Sequence, residues 1–264
     1  MGIYNCSTTL VESLDSLLNQ TFQDFDVIIC DDGSTDNSYQ IAEQYCVEYP
    51  GKFILLRNKI NMGLNYSLNR CLADANGKYI ARMDGDDISL SNRFETEVKY
   101  LENNPKIAIV SSSMIHFDEK GDWGISTRKS YPQLNDLVKG TPFAHAACMV
   151  RREAYLAVDG YSVDSKLLRV EDYHLWFKMY KNGYRGVNLF EPLYKMRDDS
   201  NAIGRRNMRA RMNELYVKYI IINTFNLPKS NYINLLKPII LFCMPKSLYR
   251  VIRKKQMGKI YNTQ

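Results

Sequence analysis

The chain reads as an α/β protein built on a mostly parallel central sheet, and three observations predict it. Short apolar runs of strand length alternate with amphipathic segments of helix length. Two of those runs end in acidic turns, Asp31-Asp32-Gly33-Ser34-Thr35-Asp36 and Asp84-Gly85-Asp86-Asp87, where open α/β sheets hold their ligands. The length, 264 residues, suffices for one such domain with a sizeable core and a short appendage.

The elements follow in order. Strands are expected at 25–30, 53–56, 79–83 and 107–112, and helices at 10–18, 37–48, 64–75 and 92–103. In the second helix Ile41, Ala42 and Tyr45 share one face, and Ser34 or Asp36 is placed to cap it. Tyr173, Trp176, Phe177 and Tyr180 recur at helical spacing until Gly183 stops the helix, and a strand-like stretch occupies 184–194. A basic, aromatic helical stretch over 201–225 ends before Pro228. There is no internal repeat and no low-complexity segment.

Composition narrows the function. The net charge of +6 is mild and comes with no nucleic-acid recognition motif, which argues against nucleic acid as a partner. Six scattered cysteines fall mostly inside apolar patterns and read as core thiols of a reducing compartment, and three widely separated histidines argue against zinc. With no leader and no apolar run of membrane-spanning length, the chain is expected in the cytoplasm.

The turn at 84–87 places three carboxylates at a strand end, an arrangement suited to a hard divalent cation such as Mg²⁺ or Mn²⁺. A solvated acidic turn before a helix is the plainer reading. The turn at 31–36 repeats the architecture, and Asp32 is the acid there without a capping role. Two such turns in one sheet can converge on a nucleotide, one accepting hydrogen bonds from base or ribose and the other holding a metal on the diphosphate.

These residues resemble the family 2 glycosyltransferases of GT-A fold. The resemblance covers about residues 1–206 and rests on four motifs in the family's order: Ile3-Tyr4-Asn5, the 31–36 turn, Asp84-Gly85-Asp86-Asp87, and Glu171-Asp172 followed by Leu175-Trp176-Phe177-Lys178. The stretches 1–6, 140–146 and 194–200 look like those of bacterial exopolysaccharide and biofilm-matrix transferases. The resemblance implies a GT-A domain over 1–206, with its first strand truncated, and a basic amphipathic helical region over 207–264. It implies roles as well. Tyr4 would lie on the uracil of a UDP-sugar, Asp32 would accept the uracil N3 proton, Asp84 would sit near the ribose, Asp86 would coordinate Mg²⁺ or Mn²⁺, and Asp172 would be the catalytic base of an inverting displacement.

Several residues admit two readings. Glu171 and Asp172 open a helix, where the dipole favours acids regardless of function. His145, among alanines, either approaches the diphosphate or metal or is a satisfied core histidine. Arg197, Arg205 and Arg206 are candidate phosphate contacts or a solvated charged loop. The apolar residues of 233–242 beside Lys246, Arg250, Arg253, Lys254 and Lys255 suit peripheral contact with the inner face of an anionic membrane, or else packing on the catalytic domain.

The implied activity is transfer of a hexosyl or N-acetylhexosaminyl group to a polysaccharide or polyprenyl-linked acceptor. Only Met1, Gly2 and Ile3 precede Tyr4, so the supporting strand is expected to be missing or severely shortened and the start truncated or misassigned. The same shortness leaves a catalytically impaired module, binding a membrane surface or a partner, as the alternative. A nucleotidyltransferase would want a Gly-rich triphosphate cradle and a phosphatase a nucleophilic aspartate motif, and neither is visible.

Overall fold

A computed structural model of the chain describes residues 1–198 and 208–245, together with Ile252 and Met257. Arg205 and Arg206, and the basic residues at 246, 250 and 253–255, lie outside the described residues.

The first half is a βα alternation. Strand β1 (Gly2–Ile3) leads to helix α1 (Leu10–Leu18), whose Leu10, Leu14 and Leu17 fall on one stripe and are buried. Strand β2 (Val27–Asp31) is buried at every position, as a strand covered on both faces must be. Helix α2 (Ser38–Glu48), strand β3 (Phe53–Arg57) and helix α3 (Leu64–Asp74) complete this part. Strands β1, β2 and β3 are parallel in that order, with Ile3 opposite Asp31 and Asp31 opposite Arg57.

The second part is a mixed sheet. It holds β4 (Tyr79–Ala81), β5 (Ile88–Ser89), β6 (Ile109–Asp118), β7 (Gly121–Ser126), β8 (Met149–Arg151) and β9 (Gly186–Arg197), ordered β4-β8-β6-β9-β5 with β7 paired to β6. Pairing of β6 with β9 is parallel and the other pairs are antiparallel. Helix α4 (Arg93–Asn103), short α5 (Leu134–Leu137) and α6 (Arg152–Ala157), and α7 (Glu171–Lys181) cover it. One core lies between α7 and the sheet, around Trp176, Phe143 and Ile109. A second joins α1 to the parallel strands, around Leu14, Ile29 and Phe94.

The two parts meet at the parallel bridge from Gly2 to Asp84. A cleft of about 760 Å³ separates Val27 and Ile28 on one side from Tyr79, Ile80 and Ala81 on the other, with Met1 in its wall. The Met1 ammonium donates to the Ile28 carbonyl at 2.6 Å, prolonging the ladder by one group.

Helix α8 (Met208–Thr224) turns Val217, Ile221 and Ile222 onto the first core, and Phe225 just after it meets Phe177 at 5.9 Å. Packing on the domain is therefore the outcome for α8. Helix α9 (Leu236–Cys243) differs: Leu236, Ile239, Ile240 and Phe242 are exposed, as is Ile233 just before it. No helix among the described residues is long and apolar enough to cross a membrane.

Candidate active site

The two acidic turns are brought together by a glycine. A Cβ on Gly85 would lie 2.9 Å from Cys6 Sγ and 3.1 Å from an Ile3 methyl, so only glycine lets the second turn rest on the segment that follows β1, which itself donates to the first turn through the Asn5 and Ser7 amides. Helix α1 secures the contact: Thr9 Oγ1 donates to the Gly85 carbonyl at 3.0 Å and Ser13 Oγ to the Asp84 carbonyl at 2.8 Å.

In the first turn Asp32 is buried, and its carboxylate accepts from Asn58 Nδ2 at 2.7 Å and from the Met62 and Gly63 amides at 2.9 and 2.8 Å. Gly33, with φ of +73°, permits this, because a Cβ there would meet the Ile60 main chain at 2.8 Å. Asp31 accepts from the Ser34 amide and faces Arg57 at 3.6 Å. The Asp36 carboxylate accepts from the Ser38 and Ser7 amides, at 3.0 Å each. Burial opposes its ionisation, but the hydrogen bonds from Ser38 and Ser7 outweigh burial and hold its carboxyl at about 2.

In the second turn Asp84 pairs with buried Arg82 at 2.5 Å, and Asp87 is almost wholly buried. Burial, then the charges of Asp84 and Asp86, push the Asp87 carboxyl well above the usual range. The Arg197 amide donates to Asp87 at 2.8 Å, and Arg197 Nε donates to the Asp86 carbonyl at 3.0 Å. The Arg197 fork is turned onto Glu12 of α1 and lies over the Phe117 ring at 4.5 Å.

A divalent cation fits this turn. The donors are hard oxygens, and a cation would offset the charges that Asp84 and Asp86 bring close together. Among the described residues no three histidine, cysteine, aspartate or glutamate side chains form a complete cage.

A cleft of about 730 Å³ brings Tyr4 and Asp32 together with Met62, Leu168 and Glu171. Tyr4 is 47% exposed. Asp84, Asp86 and Arg197 are not in the cleft wall; they form the neighbouring group, joined to it through the Gly2–Asp84 bridge. At the start of α7, Glu171 lines the cleft and its Oε2 is buried with no hydrogen-bond partner among the described residues. Burial, then the adjacent Asp172 charge, raises its carboxyl. Asp172 itself accepts from Thr141 Oγ1 at 3.1 Å. His145 Nε2 meets the Tyr161 hydroxyl at 2.7 Å and its ring lies 6.0 Å from Trp176. Burial, then the Arg82 charge, holds its imidazole well below the usual range and therefore neutral.

Sequence reasoning missed Glu12, Thr9, Ser13, Arg82 and Thr141. The hydroxyls on the otherwise apolar stripe of α1 were a signal for Ser13, and Arg82 stands out as a charge within an apolar strand. Nothing local marks Glu12, whose partner is 185 residues away.

A parallel βα half and a mixed sheet, each with an acidic turn beyond a strand end, closed by C-terminal helices, define a GT-A glycosyltransferase fold. The chain belongs to glycosyl transferase family 2, whose model matches residues 1–158. It is 41% identical over 97% of its length, and over 92% of the relative, to EpsE of Bacillus subtilis, which is named as a glycosyltransferase. It is 29% identical over 93% of its length, and 90% of the relative, to the Escherichia coli UDP-Gal:alpha-D-GlcNAc-diphosphoundecaprenol beta-1,3-galactosyltransferase. In structure it resembles the mannosyltransferase PcManGT of Pyrobaculum calidifontis, solved with GDP-Man and Mn²⁺, with a TM-score of 0.63, 17% identity and coverage of 96% of this chain and 78% of that one.

Proposed function

We propose that the chain transfers a hexosyl or N-acetylhexosaminyl group from a UDP-sugar to a lipid-linked polysaccharide intermediate, with inversion, in exopolysaccharide synthesis. The observation that carries the reading is the cleft in which Tyr4 and Asp32 meet the start of α7, beside the second acidic turn. Names of the relatives support the substrates: one acts with UDP-Gal on a diphosphoundecaprenol-linked sugar.

In this reading Tyr4 offers its ring to uracil and Asp32 accepts from the base N–H, beside the amides it already serves. Asp84 lies toward the ribose, and Asp86 would hold a Mg²⁺ or Mn²⁺ ion, which supplies charge stabilisation to the departing diphosphate. Arg197 exchanges Glu12 for a phosphate oxygen, Arg205 and Arg206 are further phosphate candidates, and His145 serves as a neutral support. Asp172 takes the proton of the attacking hydroxyl, a contribution of roughly 10² to 10⁴ in rate. The GT-A domain spans 1–206, and the region over 207–264 holds the enzyme at the inner face of the membrane, with the exposed apolar residues of α9 as its contact.

The test follows release of UDP from a panel of UDP-sugars with Mn²⁺ or Mg²⁺ and a membrane extract as acceptor, for wild type and Asp172→Asn. Acceptor-dependent release that the substitution abolishes, with UDP binding retained, is the expected result. Release that persists in the variant overturns the base, and UDP binding without any turnover by the wild type favours the binding-module reading.

A further inference from the structure

We propose that Thr141 is the positioning residue of Asp172, a neutral hydroxyl that aims the carboxylate in both of its protonation states; the inference rests on Asp172 being the base in the reading above.

An aspartate at the second position of a helix has a broad terminal torsion, and the helix dipole favours its charge without fixing its direction. The Thr141 hydroxyl fixes that direction by donating to Oδ2 at 3.1 Å.

Thr141 is itself held by main-chain contacts that do not involve its hydroxyl. Its carbonyl accepts from Arg128 Nη1 at 2.9 Å, and the next carbonyl, that of Pro142, accepts from Asn188 Nδ2 at 3.1 Å. The following Phe143 is fully buried and packs edge-on against Trp176 at 5.4 Å, on the helix that carries Asp172. Loop and helix therefore form one body, and the hydroxyl reports its position to the carboxylate.

The hydroxyl has a second acceptor, the Phe143 carbonyl at 3.4 Å. One proton serves one acceptor at a time, and the charged, nearer carboxylate holds it while Asp172 is ionised. Once a proton from the acceptor sugar rests on Oδ2, the carboxyl O–H donates to Thr141 Oγ1 and the Thr141 proton turns to Phe143. The Thr141–Asp172 contact survives the transfer.

Thr141→Val, Thr141→Ser and Asp172→Asn are compared with wild type by UDP release from UDP-galactose, UDP-glucose and UDP-GlcNAc with Mn²⁺ and a membrane extract. Thr141→Val is expected to lower kcat by roughly tenfold to a hundredfold with the donor KM within about twofold, while Thr141→Ser restores kcat. Should the valine variant not fold by circular dichroism, Thr141→Ala carries the same expectation. Unchanged kcat in the valine or alanine variant overturns the inference, as does a serine variant that falls as far. An inactive Asp172→Asn beside a fully active Thr141→Val removes the positioning role alone. An active Asp172→Asn, or a wild type releasing no UDP, removes the base reading and this inference with it.

Discussion

The main-chain amide of Arg197 donates to Asp87 Oδ1 at 2.8 Å, so the last residue of β9 is tied to the acidic turn through its backbone as well as through its side chain. The guanidinium is left to Glu12, on α1, and to the Asp86 carbonyl.

That division separates stability from binding. A Glu12–Arg197 pair on a partly exposed surface contributes little to folding, so Glu12→Gln should leave stability within about 0.5 kcal/mol. The freed fork should tighten UDP binding by up to about fivefold, and Arg197→Ala should weaken it by about as much or more. Calorimetric titration with UDP and Mn²⁺ measures both; equal affinities in the three proteins would remove Arg197 from the site.

Asp32→Asn places an amide nitrogen where three donors now converge. At least one of Asn58 Nδ2, Met62 N and Gly63 N then loses its acceptor. A loss of roughly 1–3 kcal/mol in denaturant unfolding is expected, together with weaker UDP binding. A variant as stable as wild type would show that the loop over 58–63 does not depend on this carboxylate.

Stability should fall as pH rises through the neutral range. Glu97 is wholly buried beside Arg93, at 3.2 Å, and burial raises its carboxyl from 4.5 to about 7 against the pull of Arg93. The folded state then binds more protons than the unfolded state between those values. Its contribution is full below about 4.5 and is lost as pH climbs through about 7. Urea titrations from pH 4.5 to 8 read the slope, and Glu97→Gln should flatten it.

The cleft beneath β1 should accept an added strand. An apolar alternating segment fused ahead of Met1 would run between Val27–Ile28 and Tyr79–Ala81, burying side chains and pairing both edges. Its melting temperature should rise by several degrees, while a Gly-Ser extension of equal length should leave it unchanged.

The exposed apolar residues of α9 give the last expectation. Ile239→Asp with Ile240→Asp should reduce flotation with anionic vesicles severalfold without changing UDP binding. Undiminished flotation would move the membrane contact elsewhere.

The sequence by itself determined the α/β class, the strand-end position of both acidic turns and the family, because periodicity and turn chemistry are local properties. It also placed α7 and its two acids, since apolar residues at helical spacing lead to a glycine, Gly183, whose φ of +87° ends the helix. What only the tertiary structure decided are relationships across long separations. That Gly85 rests on Ile3 and Cys6, that Arg197 reaches Glu12, that Thr141 holds Asp172 and that His145 is spent on Tyr161 all depend on which surfaces pack together. The division of the C-terminal helices is of the same kind: α8 and α9 both carry apolar residues, but only α8 finds a core to bury them in. Burial and pairing belong to the folded surface, and no local pattern of residues encodes its partner.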